Sequence, residues 1–304
     1  MVTASGATPL PCFRALLAMA MLASLFLPGT TVAAVGRTPN AAFQLEAEGV
    51  GDLIRLRWRW QGEPRNFDGC VVYRSTTPLD LPELDVVADP VARISVRLES
   101  GSHTDALVAD GVRYFYQLKL FHGKQGVYSN IVTAATAPRS LQSAQAPVIR
   151  VDKRHYLLEV AERDGTLLKR FPIALGRNPV RRKLHQDNAS TPEGVYHIIG
   201  RQARATYYRA YDIDYPNAAD RARYDRARKR HQLPLPIPDI GGEIQIHGRG
   251  INSNWTFGCM ALRNQDMDEL FGCPAITTGI PVLIFGQELS RERVEALWRK
   301  SGTQ

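Results

Sequence analysis

The sequence predicts a mainly β protein with two folded domains and short helices, and three observations carry that reading. Runs with an apolar residue at every second position recur from Phe43 onward. Between Phe43 and Ala135 they are separated by turn residues, with no helical period. A polar, Pro-bounded stretch at 137–147 then divides them from a second set. With 44% of 304 residues hydrophobic and 22% charged, the chain is too apolar for a disordered protein and can bury a sizeable core. Four cysteines are too few for a disulfide-stapled mini-protein. The 38 Lys and Arg against 30 Asp and Glu leave a formal charge of +8, which favours anionic partners such as cell-wall polymers, lipid headgroups or nucleic acid without choosing among them.

Residues 1–34 read as a signal peptide. Arg14 is the only charged residue there, Ala15 to Leu27 is apolar except for Ser24, and Val32-Ala33-Ala34 supplies small residues for cleavage after Ala34. The apolar run has 13 residues, below the roughly 17 to 25 that span a bilayer. A periplasmic protein is expected, with retention by an uncleaved N-terminal anchor as the alternative and no membrane span after cleavage. The processed chain would keep Cys70, Cys259 and Cys273, an odd number in an oxidising compartment.

Residues 41–136 are expected to form a β-sandwich. Ile54, Leu56, Trp58 and Trp60 alternate with Arg55, Arg57 and Arg59. Further strands are expected at Cys70 to Tyr73, at Tyr114 to Leu120 and at Ser129 to Ala134. Trp58, the Val-Tyr-Arg-Ser run from Val72, Tyr114-x-Tyr116 and the closing Ser-Asn-Ile-Val resemble a fibronectin type III module. Such modules are spacers or platforms, so contact with an envelope polymer or protein is expected of this one. The arginine row fits either an anionic-glycan contact or a solvated strand face.

Residues 137–147 read as a linker. Beyond it, Val148 to Val160 and Leu167 to Leu175 look like two strands joined at Asp164-Gly165. Thr191-Pro-Glu-Gly194 is a turn leading into a strand at Val195 to Ile199. Asp220 to Arg230 holds six basic and two acidic residues on a helix or solvated loop. A C-terminal helix is expected within 287–304.

The chemistry concentrates in Gly241-Gly-Glu-Ile-Gln-Ile-His247-Gly248 and Trp255-Thr-Phe-Gly-Cys259-Met-Ala-Leu-Arg-Asn264. An alternating strand delivers His247 at its end, and a Gly-preceded cysteine follows twelve residues later. A strand end is a rigid platform, and a glycine beside the thiol lets backbone N–H groups and substrate approach closely. A free thiol is mostly protonated at neutral pH, so a nucleophilic Cys259 needs a partner such as His247. Taken alone, a buried histidine and an inert cysteine explain the same residues.

Ile-His-Gly, then Trp-Thr-x-Gly-Cys-x-Ala-Leu-x-Asn, then Asp-Met-Asp-Glu-Leu resemble the L,D-transpeptidase (YkuD) catalytic domain. The resemblance continues upstream to Phe171-Pro-Ile-Ala-Leu-Gly176 and to Asp187-Asn188 with Thr191-Pro-Glu-Gly194, and it places the catalytic domain at 147–286. It implies a mostly β domain that binds peptidoglycan stem peptides, with Cys259 as nucleophile and His247 as proton donor and acceptor. Gly248, Gly258 and Thr256, at the motif's Ser/Thr position, support them. The chain departs from many members at Phe257, where they have histidine, and at Ala261, where they have arginine. Arg263 is the candidate replacement for that arginine, and Tyr207 and Tyr208 are candidates to line the groove; a surface arginine and core aromatics are the plainer accounts.

Asn264 is expected to cap a helix carrying Met267, Leu270 and Phe271. Cys70 and Cys273 are expected as buried thiols or an interdomain bridge, with Cys259 free. No His-Glu-x-x-His, Gly-x-x-x-x-Gly-Lys or paired Cys-x-x-Cys occurs, so no metal or nucleotide cofactor is expected, nor a nucleic-acid partner. Transfer to an amine leads the functional readings, followed by hydrolysis through the same Cys/His pair and by a non-catalytic wall-binding protein.

Overall fold

The computed structural model describes residues 39–301 apart from 63–66, 77, 80–89, 95–99 and 124. The expected signal peptide, including Cys12, lies outside the described residues.

The first half contributes β1 (Phe43–Val50), β2 (Leu53–Trp60), β3 (Gly69–Ser75), β4 (Pro90–Ile94), β5 (Ser100–Asp105), β6 (Arg113–His122), β7 (Gln125–Tyr128) and β8 (Val132–Ala135). They form one sheet ordered β1-β2-β5 and a second ordered β4-β3-β6-β7, with β8 also on β6. The period of two does what it predicts: Ile54, Leu56, Trp58 and Trp60 turn inward to share a core with Tyr114, Tyr116, Leu118 and Leu120 from the facing sheet. Arg57 and Arg59 are exposed, and the register sets Arg57 opposite Glu46 and Arg55 opposite Glu48, a solvated ladder of unlike charges. The last strand starts later than expected, at Val132. Ser129 and Asn130 instead use their side chains on the backbone: Leu118 N–H donates to Ser129 Oγ at 3.0 Å, and Asn130 exchanges bonds of 2.7 and 3.0 Å with Leu45.

The second half is built on an eight-stranded sheet comprising β9 (Pro147–Asp152), β10 (Leu157–Glu162), β11 (Leu167–Pro172), β12 (Gly194–Ala205), β13 (Tyr208–Ile213), β14 (Gln245–His247), β15 (Met260–Ala261) and β16 (Pro281–Phe285). Its order is β11-β10-β9-β16-β12-β13-β14-β15. Every residue of β9 and β16 is buried, as befits central strands covered on both faces. Helices α1 (Ala218–Lys229), α2 (Asn264–Gly272) and α3 (Arg291–Ser301) flank the sheet. Val294 of α3 packs with Leu283 and Phe285 of β16.

Two local expectations are corrected and one open alternative is resolved. The run Val148 to Val160 is two strands, because the chain reverses between Asp152 and Leu157 with Tyr156 at φ 56°. Asp152 makes that turn by accepting the N–H groups of Arg154 and His155 at 3.0 and 3.2 Å. Asn264 is the first residue of α2 rather than its cap; Arg263 holds the cap position without a side-chain bond. Asp220 to Arg230 is resolved as helix, α1, opened by a capping box between Asn217 and Asp220.

Cys70, Cys259 and Cys273 are all free thiols. Cys70 is enclosed in the sandwich core, where burial pushes its thiol up to about 12. Cys273 donates to the Leu141 carbonyl at 3.4 Å. Leu141 itself lies in the core of the second sheet, with Ala144 packed against it, while most of 137–147 is exposed.

Candidate active site

The site forms where β14 and β15 run parallel at one edge of the sheet. Their register pairs Ile246 with Met260 and His247 with Ala261. Ile246 and Met260 point into the core, so by alternation His247 and Cys259 project on the other face, two positions apart along neighbouring strands. Cys259 is half-buried and His247 fully buried.

The thiol has two backbone partners. It accepts the Gln245 N–H at 3.4 Å and donates to the Glu243 carbonyl at 3.5 Å. Burial pushes the Cys259 thiol above its ordinary value, opposed first by the Gln245 N–H and then by the Lys183 ammonium. Nδ1 of His247 lies 2.7 Å from the Gly248 carbonyl, which can only accept, so Nδ1 carries the proton. Nε2 is left with a lone pair and no hydrogen-bond partner among the described residues. Burial pushes the imidazole below its usual value, which keeps it neutral and basic at neutral pH.

Thr256 ties the nucleophile segment into a tight turn. Its hydroxyl donates to the Cys259 carbonyl at 2.8 Å and accepts the Gly258 N–H at 3.1 Å. Gly258 has φ 139°, and a Cβ there would come within 2.6 Å of the Ser190 carbonyl, so this position requires glycine. At Gly248 a Cβ would meet Asn264 Oδ1 at 2.7 Å and Tyr208 Cδ1 at 2.9 Å. Asn264 uses that oxygen to accept the Arg249 N–H at 2.8 Å, tying the chain after His247 to the start of α2. Glu243, Arg249 and Tyr208, all with positive φ, surround this corner.

The two tyrosines part ways. Tyr207 covers the imidazole, its ring 5.0 Å from that of His247, and Trp255 closes the triangle at 5.3 Å from Tyr207 and 5.4 Å from His247. Tyr208 turns toward α2, where its hydroxyl donates to Asp268 at 2.8 Å. Arg263 is committed to Asp266 through bonds of 2.6 and 3.0 Å, so its guanidinium is already occupied. Ala261 is taken up in backbone pairing with Ala174.

Sequence reasoning missed Lys183. It is 2% exposed, and its ammonium donates to the Phe257 carbonyl at 3.1 Å, two residues before Cys259. Standing third in the run Arg181-Arg-Lys183, it carries no local signal that separates it from a solvated lysine. Phe257 is exposed, with the Arg177 guanidinium 4.5 Å from its ring centre. Among the described residues, no group of three His, Cys, Asp or Glu is placed to hold a metal.

On one face of this sheet edge stand a half-buried thiol and a buried imidazole of fixed tautomer. Residues 146–284 match the YkuD family, the L,D-transpeptidase catalytic domain. The YkuD-type domain has a curated relative in YafK of Escherichia coli (strain K12), itself provisionally assigned as an L,D-transpeptidase. The two are 30% identical over 165 residues, covering 51% of this chain and 58% of the relative. YafK of strain O157:H7 matches with the same figures. The chain thus spans less than two thirds of the curated relatives' length.

Among solved structures, an L,D-transpeptidase from Xylanimonas cellulosilytica aligns at 18% identity and TM-score 0.31, over 49% of this chain and 64% of that one. A Fn3-like protein from Clostridium thermocellum aligns at 20% identity and TM-score 0.24, over 30% of this chain and 86% of that one. Likeness at this level carries no argument about activity.

Proposed function

We propose that the chain is a peptidoglycan L,D-transpeptidase in which Cys259 forms a thioester with a tetrapeptide stem and passes it to an amine. The observation that carries this reading is the His247 tautomer: Nδ1–H is fixed on the Gly248 carbonyl and Nε2 has an unused lone pair on the face that also bears Cys259. In the proposed reaction Nε2 takes the thiol proton as sulfur attacks the carbonyl carbon of the amide between an L-centre and a D-residue. The tetrahedral intermediate collapses by breaking the C–N bond, and the departing amine takes the proton from Nε2. An acceptor amine then attacks the thioester, giving its proton to Nε2, and the sulfur leaves and regains its proton. Thr256 and Gly258 hold the turn that presents the thiol, Gly248 and Asn264 hold the backbone beside the imidazole, and Tyr207 is a candidate groove wall.

The same thioester resolved by water would make the protein a hydrolase with identical residues, partition depending on exclusion of water and admission of an amine. The acceptor is a second stem, a free D-amino acid or an envelope protein. The reading extends to the rest of the chain: 1–34 as signal peptide, residues 41–136 as a fibronectin type III-like module and the periplasm as compartment. No helix among the described residues is long and apolar enough to cross a membrane.

Incubation with disaccharide tetrapeptide, with and without an amine acceptor, followed by mass analysis, tests the reading. Cross-linked dimer or exchanged D-amino acid supports transfer. Tripeptide without exchange would reassign the protein as a hydrolase, and absence of any product would leave a wall-binding role.

A further inference from the structure

The proposed nucleophile sits in a site whose base has no acidic partner among the described residues. His247 is bonded through Nδ1 to a carbonyl and is flanked by Tyr207 and Trp255, so no carboxylate among the described residues is hydrogen-bonded to its ring. An imidazolium formed there would be poorly supported, and burial already disfavours it. Arg263, the cation expected to serve the site, is engaged by Asp266.

Lys183 is the cation that does reach the segment carrying the thiol. Its ammonium donates to the Phe257 carbonyl at 3.1 Å and stands 3.4 Å from where a Cβ on Gly258 would lie, so it borders both residues that precede Cys259. Among the described residues no carboxylate lies within ion-pairing distance of it. Lys153, also buried and also close to the 181–193 segment, shows the contrast: its ammonium is satisfied by Glu193 at 2.8 Å and by the Arg181 and Thr191 carbonyls. Burying an ammonium without a counter-charge is costly. The arrangement at Lys183 is therefore suited to a negative charge that appears only during reaction.

We propose that Lys183 is a positioning residue for Cys259: its ammonium stabilises the thiolate and, through the Phe257 carbonyl, holds the backbone that presents the sulfur. The proposal rests on Cys259 being the reactive thiol. Other charged or titratable groups facing the pair are Glu243 and Asp212, which oppose thiolate formation, His247 on the same face of the sheet as the thiol, and Asp187 and His185 beside Lys183. Lys183 is the cation among them that acts directly on the thiol. Arg223 of α1 donates to the Lys183 carbonyl and so anchors its backbone.

The test is the pH profile of Cys259 alkylation by iodoacetamide, read by peptide mass on the full chain, in the wild type, Lys183→Met and Lys183→Arg. The expected result is about a tenfold slower reaction of Lys183→Met near neutral pH with the profile displaced to the alkaline side, and a profile close to wild type for Lys183→Arg. A folded Lys183→Met protein with an unshifted profile would overturn the proposal. If that variant does not fold, the wild type supplies the reciprocal measurement. Carbamidomethylation of Cys259 abolishes the thiolate, so the Lys183 ammonium should lose its proton at lower pH by NMR of isotope-labelled lysine. An unchanged lysine titration would overturn the proposal equally. Alkylation needs no peptidoglycan, so a displaced profile in a protein without transfer activity would separate the failure of the functional reading from that of this one.

Discussion

At the residue scale, the site stores its proton on sulfur and its lone pair on Nε2. Both groups are neutral near pH 7, because burial raises the thiol and lowers the imidazole. Under the proposed reading a carbapenem is expected to add its mass to the wild type and not to Cys259→Ala; mass spectrometry of the intact protein decides it. His247→Ala should slow acylation on the order of 10²-fold or more, and retained activity would reassign the base. The sign of the pH dependence follows from the lowered imidazole. Its basic form prevails above a value lying under about 6.5, so acylation should fall as pH drops through that range and rise again toward alkaline pH as thiolate accumulates. A rate that climbs in acid would contradict both roles. The Cys259 and His247 pair was legible because its residue types and its Gly neighbours are local in sequence. The carbonyl of Glu243, the N–H of Gln245 and the ammonium of Lys183 were not, since any residue has a carbonyl and a lysine in a basic run looks solvated.

At the element scale, the turn before β15 and the turn entering β12 hold the site. Thr256 supplies one donor and one acceptor to its own turn. Thr256→Val keeps the shape and removes both bonds, which should cost about 1–3 kcal/mol and slow acylation more than it weakens substrate binding, as steady-state kinetics would show. The Thr191-Pro-Glu-Gly194 turn is anchored differently. Glu193 is fully buried, pairs with Lys153 at 2.8 Å and accepts the Glu288 and Leu289 N–H groups at 3.1 and 2.7 Å. Glu193→Ala would strand a buried ammonium, at a cost of about 3–5 kcal/mol in urea denaturation; a loss within experimental error would show that water or a rearranged side chain takes up the charge. The turn itself could be read from its Pro and Gly. Its ion pair could not, because Lys153 lies forty positions away and becomes a neighbour only when β9 and β12 flank β16.

At the scale of the whole molecule, the sandwich is clamped to the YkuD-type domain by charge. Arg139 reaches Asp52 at 3.3 Å and the enclosed Asp110 at 3.2 Å, and Arg170 donates its backbone N–H to Asp110 at 2.7 Å. Leu157 of β10 joins the apolar core of the sandwich. Asp110→Ala should therefore loosen the junction and free the backbone around Arg139, read as faster limited proteolysis within 137–147 and as two calorimetric transitions in place of one. Unchanged cleavage and a single transition would show that Leu157 and the remaining ion pairs hold the domains without it. By itself the sequence determined the strand-rich class and the inward faces of β2 and β6, and it offered the two residues proposed for chemistry, because alternation and short motifs are properties of neighbouring residues. Only the tertiary structure decided that Tyr207 covers the imidazole while Tyr208 turns to Asp268, that Arg263 is occupied, and that Lys183 is bonded to the Phe257 carbonyl. Those outcomes depend on which distant strands lie side by side and on which charges burial leaves without a partner, and neither is written in any local stretch of the chain.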